Sequence, residues 1–419
     1  MKPVGIPETP NASALKYKVP GVYVEEVGTP ATTIVSVDPS IAAFVGSSLK
    51  GPVDAVSELL TSYADFVAVY GDVSDITFCG PTAQMAINYL ALAARAFFDN
   101  GGRSLYISRV SAPDGTNSAP PTGDDYVRAL QKLEEVSRVA VVAAPGGAIG
   151  GVCNVDSVAP IHAALIAHVS QAKAYRFAVL DPPPGCSISD IQAVRATVDS
   201  ANAALYFPWV TIADPRENAA EKSTLNVPPS GFICGIYSRV DHDEGVFKSI
   251  GSQQVIDALG FEHVVTLPEN DLLNAQGINC LRTFTGRGNL VWGARTVSSD
   301  PEWKYVNVRR YLLYLEHSVD QGMQWVVFEP NNERTWASVL AAVSAFLYAQ
   351  WRSGALMGVK AEEAFFVRCD RTTMSQSDID KGQLVCLIGF APLKAAEFVV
   401  IQISQLTADA GTTPQNPTH

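Results

Sequence analysis

The sequence predicts an α/β fold of mixed, partly α+β character, and three observations carry that expectation. From Tyr126 to Pro215, helical and strand-like patterns alternate, as repeated βα units in a parallel or mixed sheet do. In Phe97-Phe98-Asp99-Asn100-Gly101-Gly102 a helical pattern ends on residues that reach left-handed backbone angles, and the near-alternating Leu105, Ile107 and Val110 then read as a strand. The last third carries two long helical patterns followed by short apolar runs.

Taken in order, residues 1 to about 20 hold four prolines and little apolar periodicity, so they predict an extended or disordered arm. Gly21-Val22-Tyr23-Val24-Glu25-Glu26-Val27 reads as a short strand, entered from Pro20 and left through Gly28-Thr29-Pro30. Ile34 to Val37 and Ala42 to Gly46 are further apolar runs. Ser62, with Asp65 three residues on, predicts a capped helix start. Thr82 to Phe98, rich in Ala and Leu, reads as the first long helix.

The alternating region predicts helices near 124 to 135, Pro160 to Ala174 and Ser187 to Ala201, with strands Val139 to Ala144, Phe177 to Asp181 and Ala204 to Ala213. Beyond it, helices are predicted at Asn307 to Gln321 and Glu333 to Arg352. In the second, Trp336, Leu340, Val343, Leu347 and Trp351 share one face, Asn331 or Asn332 caps the start and Gly354 ends it. Phe365 to Cys369, Leu384 to Ile388 and Glu397 to Ile403 are short apolar runs, the last a strand ahead of a polar tail.

Composition narrows the function. With 419 residues and 47% hydrophobic content the chain can bury a substantial interior and suggests two or three units. Its net charge of -12, with no basic run longer than Arg309-Arg310, argues against nucleic acid as a partner. Seven scattered cysteines without a C-x-x-C pair fit reduced thiols, and six histidines offer no metal-ligand spacing. The apolar stretch Trp336 to Trp351 is shorter than the ~20 residues a bilayer requires, and Met1 to Ala14 has no leader character.

Catalytic constellations are weak. Gly146-Gly147-Ala148-Ile149-Gly150-Gly151 follows a strand but matches no phosphate-loop pattern, and reads better as a βα turn. Gly286-Arg287-Gly288 reads as a close-packed turn. Cys186 at a helix start, with His162 and His168 upstream, is a conceivable nucleophile whose bland alternative is a loop cysteine with no base in reach. Asp241-His242-Asp243-Glu244 reads as a solvated turn, since adjacent side chains diverge. No metal or cofactor is expected.

Several words occur in order along the chain: Pro20-Gly21-Val22-Tyr23-Val24-Glu25-Glu26, Ala43-Phe44-Val45-Gly46, Lys50-Gly51-Pro52, Phe97 to Gly102, and Val227-Pro228-Pro229-Ser230-Gly231. Leu273-Asn274-Ala275-Gln276-Gly277-Ile278-Asn279, Val291-Trp292-Gly293-Ala294-Arg295-Thr296, Asn307-Val308-Arg309-Arg310-Tyr311, Phe328-Glu329-Pro330-Asn331-Asn332 and Ala396-Glu397-Phe398-Val399 complete the series. Through them the chain resembles the sheath proteins of contractile phage tails and related contractile injection systems. The match spans roughly residues 20 to 403 and is weakest in 120 to 225. That family usually has proline where Ala395 stands.

The resemblance implies a structural protein and no enzyme: stacked rings around an inner tube, which collapse to a shorter, wider state and drive the tube through a target envelope. It implies an N-terminal arm (1–28), a conserved tube-proximal domain from 29–119 and 226–394, an inserted outer α/β domain (120–225) and a C-terminal arm (395–419). The strands Val22-Tyr23-Val24-Glu25-Glu26-Val27 and Phe398-Val399-Val400-Ile401-Gln402-Ile403 are expected to add to sheets of neighbouring subunits. Asp378, Asp380 and Lys381 are candidates for contact with the inner tube. Implied partners are copies of the chain itself, the tube protein, and baseplate and cap proteins, with assembly in a bacterial cytoplasm and no membrane insertion. The runner-up from the βα pattern alone is a nucleotide- or dinucleotide-binding, oxidoreductase-like enzyme.

Overall fold

The computed structural model describes residues 33–53, 55–79, 84–112, 114–147, 155–216 and 223–394. Both predicted terminal strands, 22–27 and 398–403, lie outside the described residues, as do residues 148–151 of the Gly146 turn.

The first half of the chain runs β1 (Ala42–Gly46), α1 (Tyr63–Tyr70), β2 (Ile76–Phe78), β3 (Gln84–Ala86), α2 (Tyr89–Asp99) and β4 (Leu105–Arg109), then α3 (Gly123–Leu133), β5 (Val141–Ala143), α4 (Val155–Val169), β6 (Phe177–Leu180), α5 (Ile188–Ala196) and β7 (Ala203–Phe207). It continues through β8 (Val210–Ala213), β9 (Thr224–Val227), α6 (Ser230–Asp243), β10 (Gly260–Phe261), α7 (Leu267–Ala275), β11 (Ile278–Phe284) and β12 (Gly288–Trp292). The last part holds α8 (Val306–Gly322), α9 (Glu333–Arg352), α10 (Ala361–Ala364), β13 (Phe365–Arg368), α11 (Gln376–Asp380) and β14 (Leu387–Phe390).

One seven-stranded sheet has the order β12-β11-β7-β6-β5-β1-β4, parallel except for the β11–β12 hairpin. The chain steps from β1 out to edge strand β4, then crosses to the far side of β1 and continues through β5, β6 and β7, the doubly wound arrangement. Alternation within each strand feeds two cores. Ala42 and Phe44 of β1 point to the layer of α1, α2 and α6, while Ala43 and Val45 point to the layer of α3, α4, α5 and α7. All five residues of β1 and of β7 are buried, as a parallel sheet covered on both faces requires.

Local sequence explains the joints. Asn100 caps α2, Gly101 adopts φ +97, and the Gly101 and Gly102 N–H groups bond to the carbonyls of Phe98 and Phe97 at 3.1 and 2.8 Å. A Cβ on Gly102 would sit 2.3 Å from the Phe97 ring. In α6, Cβ atoms on Gly231 and Gly235 would meet α2 backbone at 2.6 and 2.5 Å, so these two glycines set the α2–α6 approach.

Several expectations need correction. The helix predicted from Thr82 starts at Tyr89, capped by Asn88, because Gln84–Ala86 is taken up in the β2–β3 hairpin. The apolar run 34–37 is used for packing: Ile34 sits in a core, against Gly322, and the Val37 N–H donates to Ser318 Oγ at 3.2 Å. Strand 204–213 splits at Pro208 into β7 and β8, which leaves the large sheet to pair with β9 and β10. Helix α4 starts before Pro160 and carries it inside. The stretch 120–225 does not close on its own: β5 to β7 sit between β1 and β11, so it shares one sheet with 29–119 and 226–394.

A third core lies apart, between α8, α9 and the two-stranded sheet β13–β14. Helix α8 is the shared wall, its Val306 and Leu313 facing the large sheet's core and its Tyr311 and Leu315 the small one.

Candidate functional site

The small sheet is built from alternation on a helical platform. Phe365 and Val367 of β13 pack toward Trp336, Val339 and Val343 of α9, while Phe366 faces out at 47% exposure. Register places Phe366 opposite Gly389 of β14, where a Cβ would lie 2.2 Å from the Phe366 ring, so glycine lets the aromatic lie across its neighbour strand. The Arg368 guanidinium covers the outer face of that ring at 5.5 Å. Leu387, on the same outward side, is 49% exposed. Among the described residues the sheet has two strands, so each strand keeps one edge without a ladder partner. Two strands alone are marginal, and this pair depends on its platform.

Helix α9 is capped by Asn332, whose Oδ1 accepts from the N–H groups of Arg334 and Thr335, and Gly354 follows its end at φ +82. Asn331 ties three pieces together: its Oδ1 accepts from Trp336 Nε1 at 2.7 Å and its Nδ2 donates to the Gln383 carbonyl at 3.0 Å. Phe328 stands in a loop at φ +73 with a fully exposed ring.

The tube-contact candidates fall on or beside α11. Asp378 is committed locally: its Oδ2 accepts from Ser375 N and Oγ at 2.9 and 2.7 Å, which holds its carboxyl below the usual range. Asp380 accepts from Gln376 Nε2 at 2.8 Å, and Asp380 and Lys381 are both exposed.

The two regions are bolted together by a pair the sequence reading missed. Asp241, expected in a solvated turn, lies in the last turn of α6 and is buried with Arg310 of α8, at 2.6 and 2.9 Å. Burial pushes the Asp241 carboxyl upward while the guanidinium pulls it down. Arg310 also donates to the Pro39 carbonyl and covers the Tyr237 ring at 4.2 Å. Sequence alone offered only adjacent charges, 241–244 and Arg309-Arg310, with nothing to mark Asp241 and Arg310 as buried.

The sites sought for catalysis are spent on structure. His162 Nε2 pairs with the Asp181 carbonyl and His168 Nε2 with Arg176, and burial lowers both to about 4. Asp181 accepts from Ser230 N and Oγ, and burial raises it to about 7. No cluster of potential metal ligands occurs among the described residues. Gly286-Arg287-Gly288 follows strand β11 and closes the β11–β12 hairpin. At the switch point above β1 and β5 lies a cleft of about 510 Å3 between Tyr89, Trp209, Pro145 and Gly146, and its described lining includes no charged side chain. No helix among the described residues is long and apolar enough to cross a membrane.

Comparison with known proteins agrees with the sequence resemblance. The family profile of the phage tail sheath protein central domain matches residues 119–297, and that of the phage tail sheath C-terminal domain matches 298–405. The tail sheath protein of Vibrio phage KVP40 is 22% identical over 386 residues, 83% of this chain and 56% of that one. The chain spans about half the length of the curated relatives it matches. The helical sheath of the anti-feeding prophage in its contracted state aligns with TM-score 0.73 and 28% identity, covering 93% of this chain and 99% of that one. The sheath complex of an extracellular contractile injection system, PVC, in its contracted state aligns with TM-score 0.70 and 26% identity, covering 93% and 98%.

Proposed function

Because this chain belongs to the phage tail sheath family, a structural one and not a family of enzymes, we propose that it polymerises as stacked rings around an inner tube and contracts to drive that tube through a target envelope. The reading as a dinucleotide-binding enzyme is withdrawn: the matches are to sheath proteins, and the switch-point cleft offers phosphate no cation among its described lining.

One observation carries the mechanism, the two-stranded β13–β14 sheet with an edge on each side that has no ladder partner among the described residues. The sequence reads 22–27 and 398–403 as two short strands on tethers, whose N–H and C=O groups would need partners. Strands lent by neighbours and laid along those edges convert a marginal pair into a four-stranded sheet and link copies into a mesh. Each backbone bond contributes only ~1 kcal/mol, yet two strands per subunit add up over many subunits. Bodies then rotate on their tethers while the mesh stays connected. Work comes from the difference in interface energy between two packings of one subunit, with no nucleotide consumed.

On this reading Asp380 and Lys381, the exposed charges at the end of α11, face the inner tube with Asp378 fixing the helix start. Residues 29–119 and 226–394 lie toward the tube, and 120–225 faces outward as part of the same sheeted body. Baseplate and cap proteins bound the polymer, which forms in the bacterial cytoplasm. Deleting residues 1–27 leaves a folded monomer that makes no sheath; normal sheaths from that truncation would reject strand lending. Reversing Asp378 and Asp380 to Lys weakens tube binding, and unchanged binding would remove α11 as the contact.

A further inference from the structure

The described chain ends in the wall of a cleft. Leu393 and Lys394 line a space of about 860 Å3 together with Trp292 and Gly293 after β12 and with Asn307 of α8. Three residues of this lining, Asn270, Asn274 and Asn307, each have a side-chain Oδ1 that is buried with no hydrogen-bond partner among the described residues. Asn270 and Asn307 are only 6% and 5% exposed. For Asn307 the orientation is set, since its Nδ2 donates to the carbonyls of Phe247 and Leu393 at 2.8 and 3.2 Å, leaving Oδ1 as the idle acceptor. Buried acceptors without donors are costly, and three around one cleft ask for N–H groups.

The charge of the cleft's described lining is one-sided. Lys248, Arg287 and Lys394 are in it and no Asp or Glu is, in a chain whose net charge is -12. Lys248 is partly engaged by Glu244 at 2.8 Å, whereas Arg287 is exposed with its guanidinium over the Phe284 and Trp292 rings. The sequence that continues from the wall is Ala395-Ala396-Glu397: two small side chains, three backbone N–H donors and one carboxylate. Extended, three residues reach about 10 Å.

We propose that this cleft is the socket for the root of the C-terminal arm, with the backbone N–H groups of residues 395–397 directed to the idle Asn oxygens and Glu397 directed to Arg287. The proposal rests on reading 395–419 as an arm and deepens it, assigning the anchor from which strand 398–403 departs. Load on that strand then passes into β12 and α8 through Asn307 instead of swinging on a free hinge.

Hydrogen exchange on the full chain, kept below the concentration at which it assembles, tests this. Amides 395–397 exchange slowly in the unaltered chain, and Arg287→Glu or Glu397→Arg speeds them about tenfold, as losing one charge-assisted contact does. The charge-swapped pair restores protection, which a merely structural effect of either change would not do. Both substitutions spare the cores, Arg287 being an exposed turn residue and Glu397 lying in the arm. Coil-like exchange of 395–397 in the unaltered chain overturns the proposal. So does protection that arises only on assembly, because another copy then fills the cleft. Strand lending fails separately, by sheath formation after deletion of 398–403 while the root stays protected.

Discussion

The large sheet and the small one solve the same problem in opposite ways. In the large sheet Phe44, Phe177 and Tyr206 are at most 1% exposed and both faces are covered by helices, so its stability is complete within one molecule. In the small sheet the α9-facing side is covered, Phe366 and Leu387 are about half exposed, and among the described residues two edges have no ladder partner. A closed body with an open appendage is what a polymer of moving subunits needs: rigidity inside each copy, unfinished hydrogen bonding between copies.

That contrast breaks first at the bolt between the regions. Arg310→Met leaves Asp241 buried and unpaired, and costs about 3–5 kcal/mol in urea unfolding, of which Arg310→Met with Asp241→Leu recovers most. Phe44→Ala, inside the closed sheet, costs about 3–5 kcal/mol as well. Phe366→Ala, on the open sheet, costs under about 1 kcal/mol in the monomer and shows its effect as a higher concentration threshold for assembly. Equal monomer costs for Phe44→Ala and Phe366→Ala would erase the distinction.

Protonation sharpens it, because the strongly shifted pair His162 and Asp181 sits in the closed region. His162, lowered to about 4 by burial, stays neutral in the fold but takes a proton when unfolded below about 6.5, so its contribution is lost as pH falls from 6.5 to 4. Asp181, raised to about 7 by burial, runs the other way, its contribution full below 3.8 and lost as pH rises to 7. The stability difference between the unaltered chain and His162→Gln therefore falls toward acid by about 1.4 kcal/mol per pH unit, and the difference from Asp181→Asn changes with the opposite sign. The smallest effect is at Phe328, where Phe328→Gly relieves left-handed strain and stabilises the monomer by about 1 kcal/mol at most.

Much of the closed region was legible because it is local. Ser62 and Asn100-Gly101 mark their helix ends by side-chain chemistry that operates within a few residues. What escaped depends on distance. Gln84–Ala86 carries helix-like composition yet pairs with β2, and Asp241 looks solvated until Arg310, 69 residues on, meets it. The split at Pro208 was readable as a breaker but hidden in an apolar run. In the open region the strands of β13 and β14 were visible as apolar runs, whereas their edges without ladder partners among the described residues belong to no single stretch of sequence.

The central claim is tested most directly by electron cryo-microscopy of the assembled polymer, tracing the chain through the β13–β14 sheet. The account predicts four strands there, the two outer ones being residues 22–27 and 398–403 of neighbouring copies. A sheet that keeps two strands, with both terminal segments folded onto their own molecule, would contradict it.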